Sequence, residues 1–282
     1  AAAVPALEVV ERPGVGRGVR ARRAIAAGGI VVRERPVVRG RCCTLGCPGC
    51  GAGPCEGAKT CGWAHGATIS DRWAALAAAR RLHAALSADA LAMEGAAYDD
   101  GVRMCCLLAI AIQAVADDEL QTWILTMLRG PAGDGAWVEP RGGGGGGHPL
   151  ATSTCKMASR FATVLPPPLI PTARLARLLV NVQTNLFHAE EGRTCIALYP
   201  SAWLLEHACR PNAAVAVDPD GGAGGSIVVV ATQPIAAGEA ISFSYVADSG
   251  CYDDGELRPT AERRAEIEAQ CGFVCRCAAC EP

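Results

Sequence analysis

Excess positive charge and long hydrophobic runs are both missing from this sequence, and each absence excludes a class of partner. The 26 Lys and Arg are balanced by 28 Asp and Glu, and the formal net charge of -2 disfavours direct binding of DNA or RNA. The longest apolar stretch, residues 104–116, is too short to cross a bilayer and contains Gln113. We therefore expect neither a nucleic acid nor a membrane as a partner.

The start of the chain also lacks the basic segment and apolar run that a secretory signal peptide requires, and it carries Glu8 and Glu11. The chain does not begin with Met, so we expect a trimmed or partial product. No basic cluster stands out as a targeting signal, and we expect a location in the nucleus, the cytoplasm or both.

Cysteine, by contrast, is abundant, with 16 residues in 282. A secreted protein uses that many for disulfides, whereas a protein in a reducing compartment uses them as thiols or zinc ligands, which we favour here. Cys275, Cys277 and Cys280 form a Cys-x-Cys-x-x-Cys pattern, and thiolates so closely spaced suit zinc. Cys209 would complete a tetrahedral set if the tail folds back. The alternative is four free thiols.

Hydrophobic periodicity and β-branched runs predict the main helices and strands. Helices are predicted at 71–93, 102–115, 119–128, 173–182 and 260–269. Strands are predicted at 7–10, 30–38, 196–199, 213–217, 227–232 and 240–245. Cys105 and Cys106 fall in a helical pattern and are predicted to be buried, whereas Arg263 is predicted to be exposed on the last helix.

Two further segments complete a pattern with the cysteines. Residues 204–212 read Leu-Leu-Glu-His-Ala-Cys-Arg-Pro-Asn, and residues 238–245 read Gly-Glu-Ala-Ile-Ser-Phe-Ser-Tyr. In this order, followed by the cysteine tail, they resemble the catalytic half of the SET-domain protein lysine methyltransferases, most of all the SET-and-MYND branch. The resemblance implies an α+β, mainly β, fold. It would be a SET domain, a β-clip of several small twisted sheets with a pseudoknot.

The same resemblance implies a division of the chain. The N-terminal part of the SET domain is expected at 1–40, a degenerate MYND-like cysteine-rich insert at 41–66, a helical insert with a Gly-rich loop at 67–178, the catalytic part at 179–248 and a zinc-binding post-SET tail at 249–282. In the cysteine-rich insert a second zinc would be held by Cys47, Cys50, Cys61 and His65. The alternative is a degenerate remnant that binds no metal.

The family's activity is methyl transfer from S-adenosylmethionine to the side-chain amine of a protein lysine, in a histone or a non-histone substrate. By resemblance, Tyr245 would be the catalytic tyrosine, and Glu239 is expected to stabilise a turn. The cofactor-binding residues would be Gly16, Arg17, Gly18, Asn185, Leu205, Glu206, His207, Tyr245 and Phe273. The tail zinc, held by Cys209, Cys275, Cys277 and Cys280, would be structural. We expect the protein to act as a monomer.

Glu206 departs from the family motif, which has Asn at this position. An Asn amide both donates and accepts hydrogen bonds, whereas an ionised carboxylate only accepts. The carboxylate would attract the cofactor's ammonium and sulfonium groups and repel its carboxylate. Two alternatives to an enzyme therefore stay open. One is a catalytically impaired SET-like zinc protein that acts as an interaction scaffold, and the other is a zinc-dependent interaction protein that works through residues 42–65.

Overall fold

The computed structural model describes residues 7–12, 16–42, 82–86, 89, 95–127, 156–165, 169–189, 195–218, 225–246 and 251–281. The chain divides into two compact units. The first joins residues 1–35 to residues 199–282, and the second comprises residues 36–198. Because the first unit combines both ends of the chain, its sheets pair segments that are distant in sequence.

The described elements are short strands and a few longer helices. The strands are β1 Leu7–Arg12, β2 Gly16–Ala21, β3 Ile30–Glu34, β4 Val38–Arg41, β5 Phe187–His188, β6 Cys195–Leu198, β7 Glu206–His207, β8 Ala213–Val217, β9 Ile227–Ala231, β10 Ser242–Phe243, β11 Tyr252–Asp253 and β12 Glu256–Leu257. The helices are α1 Gly95–Ala116, α2 Asp118–Met127, α3 Thr172–Asn185 and α4 Thr260–Cys271, with a 3-10 turn at Ala202–Leu204. The predicted α+β architecture of several small sheets is confirmed.

Four small sheets build the described part of the first unit. β1 and β2 form an antiparallel hairpin in which Leu7 faces Ala21 and Arg12 faces Gly16. A three-stranded antiparallel sheet has the order β3-β9-β8, and β11 pairs with β12. β7 and β10 form a parallel pair, in which Glu206 lies opposite Ser242. This last pair brings together the two segments that carry the sequence motifs.

The central strand of the three-stranded sheet is the most apolar. β9 reads Ile-Val-Val-Val-Ala and is almost entirely buried, as β-branched residues favour in a strand with neighbours on both edges. At one end of this sheet the buried Asp218 carboxylate lies 3.2 Å from Arg33 Nε. The Glu34 carboxylate at the end of β3 accepts hydrogen bonds at 3.1 Å from the N–H groups of Ser201 and Ala202. β3 thereby positions the 3-10 turn that leads into β7.

The second unit packs helices against a small antiparallel sheet of order β4-β6-β5. Helix α1 is buried around most of its circumference from Cys105 to Val115, as its nearly continuous apolar sequence requires. Its backbone lies so close to β4 that a Cβ added at Gly40 would stand 2.9 Å from the Cys106 carbonyl carbon. Gly40 is therefore required for this close approach. The predicted burial of Cys105 and Cys106 is confirmed.

The long helices follow the prediction more closely than the strands. α1, α2, α3 and α4 match four of the five predicted helical ranges, and most of the fifth, 71–93, lies outside the described residues. The single strand predicted at 30–38 is wrong, because β3 ends at Glu34 and β4 begins at Val38. Pro36 lies between them and has no N–H to continue a ladder. Among the described residues, no helix combines the length and apolar character needed to cross a membrane.

Candidate active site and metal centre

The parallel pair of β7 and β10 is the foundation of the site. The Ala208 N–H donates to the Phe243 carbonyl at 3.2 Å, and the Glu206 N–H donates to the Ile241 carbonyl at 3.4 Å. The Ile241 N–H in turn donates to the Val19 carbonyl of β2 at 3.0 Å. The motif segments 204–212 and 238–245 are thus joined by main-chain hydrogen bonds, with β2 beside them.

The turn before β10 is held by two polar side chains. Gly238 adopts a left-handed φ of +82°, which glycine tolerates without steric cost. The Glu239 carboxylate accepts hydrogen bonds from the Ala236 N–H at 2.8 Å and from Asn212 Nδ2 at 3.0 Å. Asn212 is buried, and its Oδ1 accepts the Ser242 N–H at 2.9 Å. The expected turn-stabilising role of Glu239 is confirmed, and Asn212 is a structural residue that fixes the start of β10.

This network predicts that Asn212→Asp destabilises the chain by about 2–3 kcal/mol at neutral pH. The substitution keeps the shape but puts a carboxylate oxygen where Nδ2 now donates to Glu239 and to the Ala240 carbonyl. Urea denaturation of the zinc-loaded protein measures the effect. Adding Glu239→Gln should recover part of the loss, because the new amide can donate to the Asp. Equal stability of Asn212→Asp and the native chain would contradict this role.

Tyr245 follows β10 and turns its side chain toward the segment before β7. Its hydroxyl donates to the Leu205 carbonyl at 2.5 Å. Although 36% of the residue's surface is exposed, desolvation of the hydroxyl end raises the pKa of Tyr245 above its usual value, and nearby Cys271 and Glu206 raise it further. The phenol is therefore neutral and oriented at physiological pH.

His207 lies against Tyr245 and joins it by a hydrogen bond. The Tyr245 N–H donates to His207 Nδ1 at 3.1 Å, and the two rings meet edge to face with centroids 5.4 Å apart. Burial lowers the pKa of His207 to about 4, so the ring is neutral. Phe273 from the tail completes an aromatic triangle, 6.1 Å from Tyr245 and 6.2 Å from His207.

Four thiols converge beside this triangle. The sulfurs of Cys209, Cys275, Cys277 and Cys280 all lie within 4.8 Å of one another. Cys209 Sγ is 4.0 Å from Cys275 Sγ and 3.7 Å from Cys280 Sγ. Zinc bound tetrahedrally at about 2.3 Å from each sulfur would hold the sulfurs about 3.8 Å apart, so the donor set and its spacing fit zinc.

A buried cation stands next to these thiols. Arg263 is 3% exposed, which corrects its predicted exposure on helix α4. Its guanidinium donates to the Ala279 carbonyl at 2.8 Å and to Cys280 Sγ at 3.4 Å. A buried cation is costly unless anions lie close to it, and the thiolates of a metal-loaded cluster would supply that charge. Sequence alone missed this residue, although its spacing from the buried Ile267 places both on one helix face.

Three residues predicted to bind the cofactor lie in one strand. Gly16, Arg17 and Gly18 belong to β2. A Cβ added at Gly18 would lie 2.8 Å from Glu206 Cδ, so glycine is needed for the Glu206 side chain to lie here. The guanidinium carbon of Arg17 stands 4.8 Å over the Trp203 ring, a cation–π contact that the sequence did not reveal. Cofactor binding by these residues stays a prediction.

The remaining predicted residues belong to the second unit or lie outside the described residues. Asn185 ends helix α3 in the second unit, where its Nδ2 donates to the Asn181 carbonyl at 2.7 Å, and its cofactor role stays a prediction. The residues predicted to hold a second zinc, Cys47, Cys50, Cys61 and His65, lie outside the described residues. Cys251 was missed by sequence reasoning, and its sulfur lies within 4.8 Å of His207 and Cys209 donor atoms.

Two methyltransferases resemble part of this chain in sequence. Histone-lysine N-methyltransferase SMYD3 of Mus musculus is 31% identical over 120 residues, which are 43% of this chain and 25% of SMYD3. Protein-lysine N-methyltransferase SMYD4 of Mus musculus is 36% identical over 100 residues, 35% of this chain and 11% of SMYD4. The chain thus matches a quarter or less of the length of these relatives.

The chain also resembles a solved structure, the SET domain of LSMT bound to lysine and AdoHcy. The match covers 97% of this chain and 54% of that chain, with a TM-score of 0.44 and 11% identity. A family model described as SET domain matches residues 16–246. That match spans most of the chain and includes β7, β10 and Tyr245. The fold and the resemblance predicted from the motifs are confirmed, and the chain belongs to the SET domain family.

Proposed function

We propose that this protein is an S-adenosylmethionine-dependent protein-lysine N-methyltransferase. The observation that carries the proposal is the hydrogen bond of the Tyr245 hydroxyl to the Leu205 carbonyl, beside the paired strands β7 and β10 of a SET domain. The named activities of the SMYD3 and SMYD4 relatives, histone-lysine and protein-lysine methylation, support it.

Apart from Asn185, the residues that would hold the cofactor belong to the first unit. They are the backbone of Gly16 to Gly18, the backbone of Leu205 to His207, and the ring of Phe273, which the tail places against Tyr245 and His207. Aromatic rings of this kind suit the flat face of an adenine. S-adenosylmethionine, when bound, supplies a methyl group on a positively charged sulfur.

Tyr245 is assigned the central role in methyl transfer. The nitrogen of the lysine must be neutral and in line with the breaking sulfur–carbon bond, and an apolar surrounding favours the neutral amine. Because the Tyr245 hydroxyl donates its proton to the Leu205 carbonyl, its oxygen retains lone pairs that accept from the amine. A fixed hydroxyl of this kind orients the nucleophile without reorganisation during the reaction.

The zinc is assigned a structural role. Four cysteines would supply all four ligands of a zinc ion, as in structural rather than catalytic zinc sites. Cys275 lies two residues after Phe273, so a metal on this cluster would tie the aromatic ring to the site. The proposed partner is a protein that presents a lysine, in a histone or a non-histone, and the protein would act as a monomer.

Calorimetric titration of S-adenosylmethionine and S-adenosylhomocysteine into the zinc-loaded protein tests the proposal. We expect one molecule bound per chain, with affinity in the micromolar range. Glu206→Asn should change the affinity, because the Glu206 side chain lies against Gly18 within the expected cofactor site. Glu8→Asn makes the same charge change at an exposed residue of β1 and should have no effect.

If the native chain fails to bind S-adenosylmethionine and Glu206→Asn binds it, the enzyme proposal is overturned. That result would support the catalytically impaired interaction scaffold. Failure of both folded proteins to bind would overturn S-adenosylmethionine as the cofactor.

A further inference from the structure

The two ring nitrogens of His207 face two different centres. On one side the Tyr245 N–H donates to Nδ1 at 3.1 Å. On the other side Nε2 lies 3.6 Å from Cys209 Sγ, a member of the four-thiol cluster. A single imidazole therefore bridges the tyrosine of the reaction and the cluster of the tail.

The contact at Nδ1 decides where the proton of the ring sits. A neutral imidazole carries one N–H and one lone pair, and the nitrogen that accepts a hydrogen bond must present the lone pair. Nδ1 accepts from the main chain of Tyr245, so Nε2 carries the proton. That proton faces Cys209 Sγ, and a metal-bound thiolate is a good acceptor for it.

The same geometry argues against a second metal on His207, Cys209 and Cys251, although their donor atoms lie within 4.8 Å of one another. A metal on Nε2 would take the lone pair of that nitrogen, while the Tyr245 N–H already takes the lone pair of Nδ1. That ring would have lost both protons and become an anion. The arrangement suits a histidine that donates to a metal ligand, not one that binds the metal.

We propose that His207 is a positioning residue that couples the zinc–thiolate centre to Tyr245. The inference rests on the proposed methyltransferase function and tail zinc. Its Nε2–H stabilises the Cys209 thiolate, and its Nδ1 holds the main chain of Tyr245 next to the Leu205 carbonyl. The metal thereby affects the reaction centre through one side chain, in addition to the tail that carries Phe273.

Long-range proton–nitrogen NMR of the native zinc-loaded protein tests the proton position directly. We expect His207 as the Nε2–H form, with Nδ1 unprotonated. The Nδ1–H form, or metal on Nε2, would overturn the proposal.

Two substitutions separate the two contacts that form this link, that of His207 with Cys209 and that of His207 with Tyr245. Asn at position 207 retains an acceptor near Nδ1 but has no donor that reaches Cys209, whereas Gln extends an amide donor to the level of Nε2. Mutation of a residue that hydrogen-bonds a metal ligand typically lowers metal affinity 10- to 100-fold. We therefore expect His207→Asn to weaken metal binding about 10-fold. His207→Gln should retain metal affinity but lower kcat, because Tyr245 loses its acceptor.

Cobalt in place of zinc gives a readout that does not depend on catalysis. The sulfur-to-cobalt charge-transfer band should shift in His207→Asn and stay close to the native position in His207→Gln. Identical spectra and chelator-competition affinities in the native protein and both variants would overturn the link. A different result would refute the proposed function and leave the link intact. In that case the native protein would show the spectrum of cobalt bound by four thiolates and yet fail to transfer methyl groups.

Discussion

Replacing Cys209 with Ser is expected to remove one zinc ion per chain and to release the tail that follows residue 250. The expectation comes from the composition of the small core around the thiols. Among the described residues, its buried members are Cys209, Val246, Cys251, Ile267, Cys275 and Cys280. Four of these six are cysteines, so little apolar surface is left to hold the tail without a metal.

The magnitude follows from the role of metal in such cores. Structural zinc contributes on the order of 10–16 kcal/mol of apparent binding free energy in small zinc-binding peptides at neutral pH. Loss of one thiolate should therefore make residues 251–281 sensitive to limited proteolysis. It should also abolish S-adenosylmethionine binding, because Phe273 leaves Tyr245 and His207. Zinc content by mass spectrometry and proteolysis rates measure the two effects.

Cys271→Ser is the matched control. Cys271 ends helix α4 in the same tail and is not part of the four-thiol group. We expect this variant to keep its zinc and to resist proteolysis as the native chain does. Full zinc content in Cys209→Ser with an intact tail would show that the cluster is not the metal site.

Tyr245→Phe is expected to lower kcat by about two to three orders of magnitude, with little change in the affinity for S-adenosylmethionine. Removing one preorganised polar group at a reacting centre costs roughly this much, about 2.7–4 kcal/mol in the transition state. The ring is retained, and with it the packing against His207 and Phe273. The chain should therefore stay folded while the amine loses its hydrogen-bond acceptor.

Single-turnover methyl transfer to a lysine peptide library, beside calorimetric cofactor binding, separates catalysis from affinity. Tyr199→Phe is the control, because it removes a buried hydroxyl that donates to the Gly225 carbonyl. That variant should lose about 1 kcal/mol of stability and keep native kcat. Unchanged activity in Tyr245→Phe would remove the assigned role of Tyr245 and leave the fold assignment intact.

Local patterns predicted much of the fold and part of the site. Helix α1 was predictable because nine successive residues, 104–112, are apolar, and a run that is apolar on every side suits a buried helix. Strand β10 was less predictable. The pattern extends from 240 to 245, but pairing with the two-residue β7 limits it to Ser242–Phe243. Strand length here depends on a partner that is distant in sequence.

Arg263 shows the same limit for a single side chain. Its charge predicted exposure, since charged residues are seldom fully buried. The residue is nevertheless buried, because the Cys275–Cys280 tail folds against helix α4 and brings thiols and the Ala279 carbonyl to its guanidinium. Its tail partners, Ala279 and Cys280, lie 16 and 17 residues away, so the helical pattern could not identify them.

The sequence by itself indicated the family of this protein and the chemistry proposed for it. Its cysteine pattern and its two motif segments, which end at Asn212 and Tyr245, predicted a thiolate metal site, a tyrosine at the reaction centre and the SET family. Only the tertiary structure decided which groups meet. It placed the four thiols together, turned His207 between Cys209 and Tyr245, and put Glu206 against Gly18. The physical reason is that ligand spacing is local, whereas hydrogen-bond partners and close approach depend on pairing across the chain.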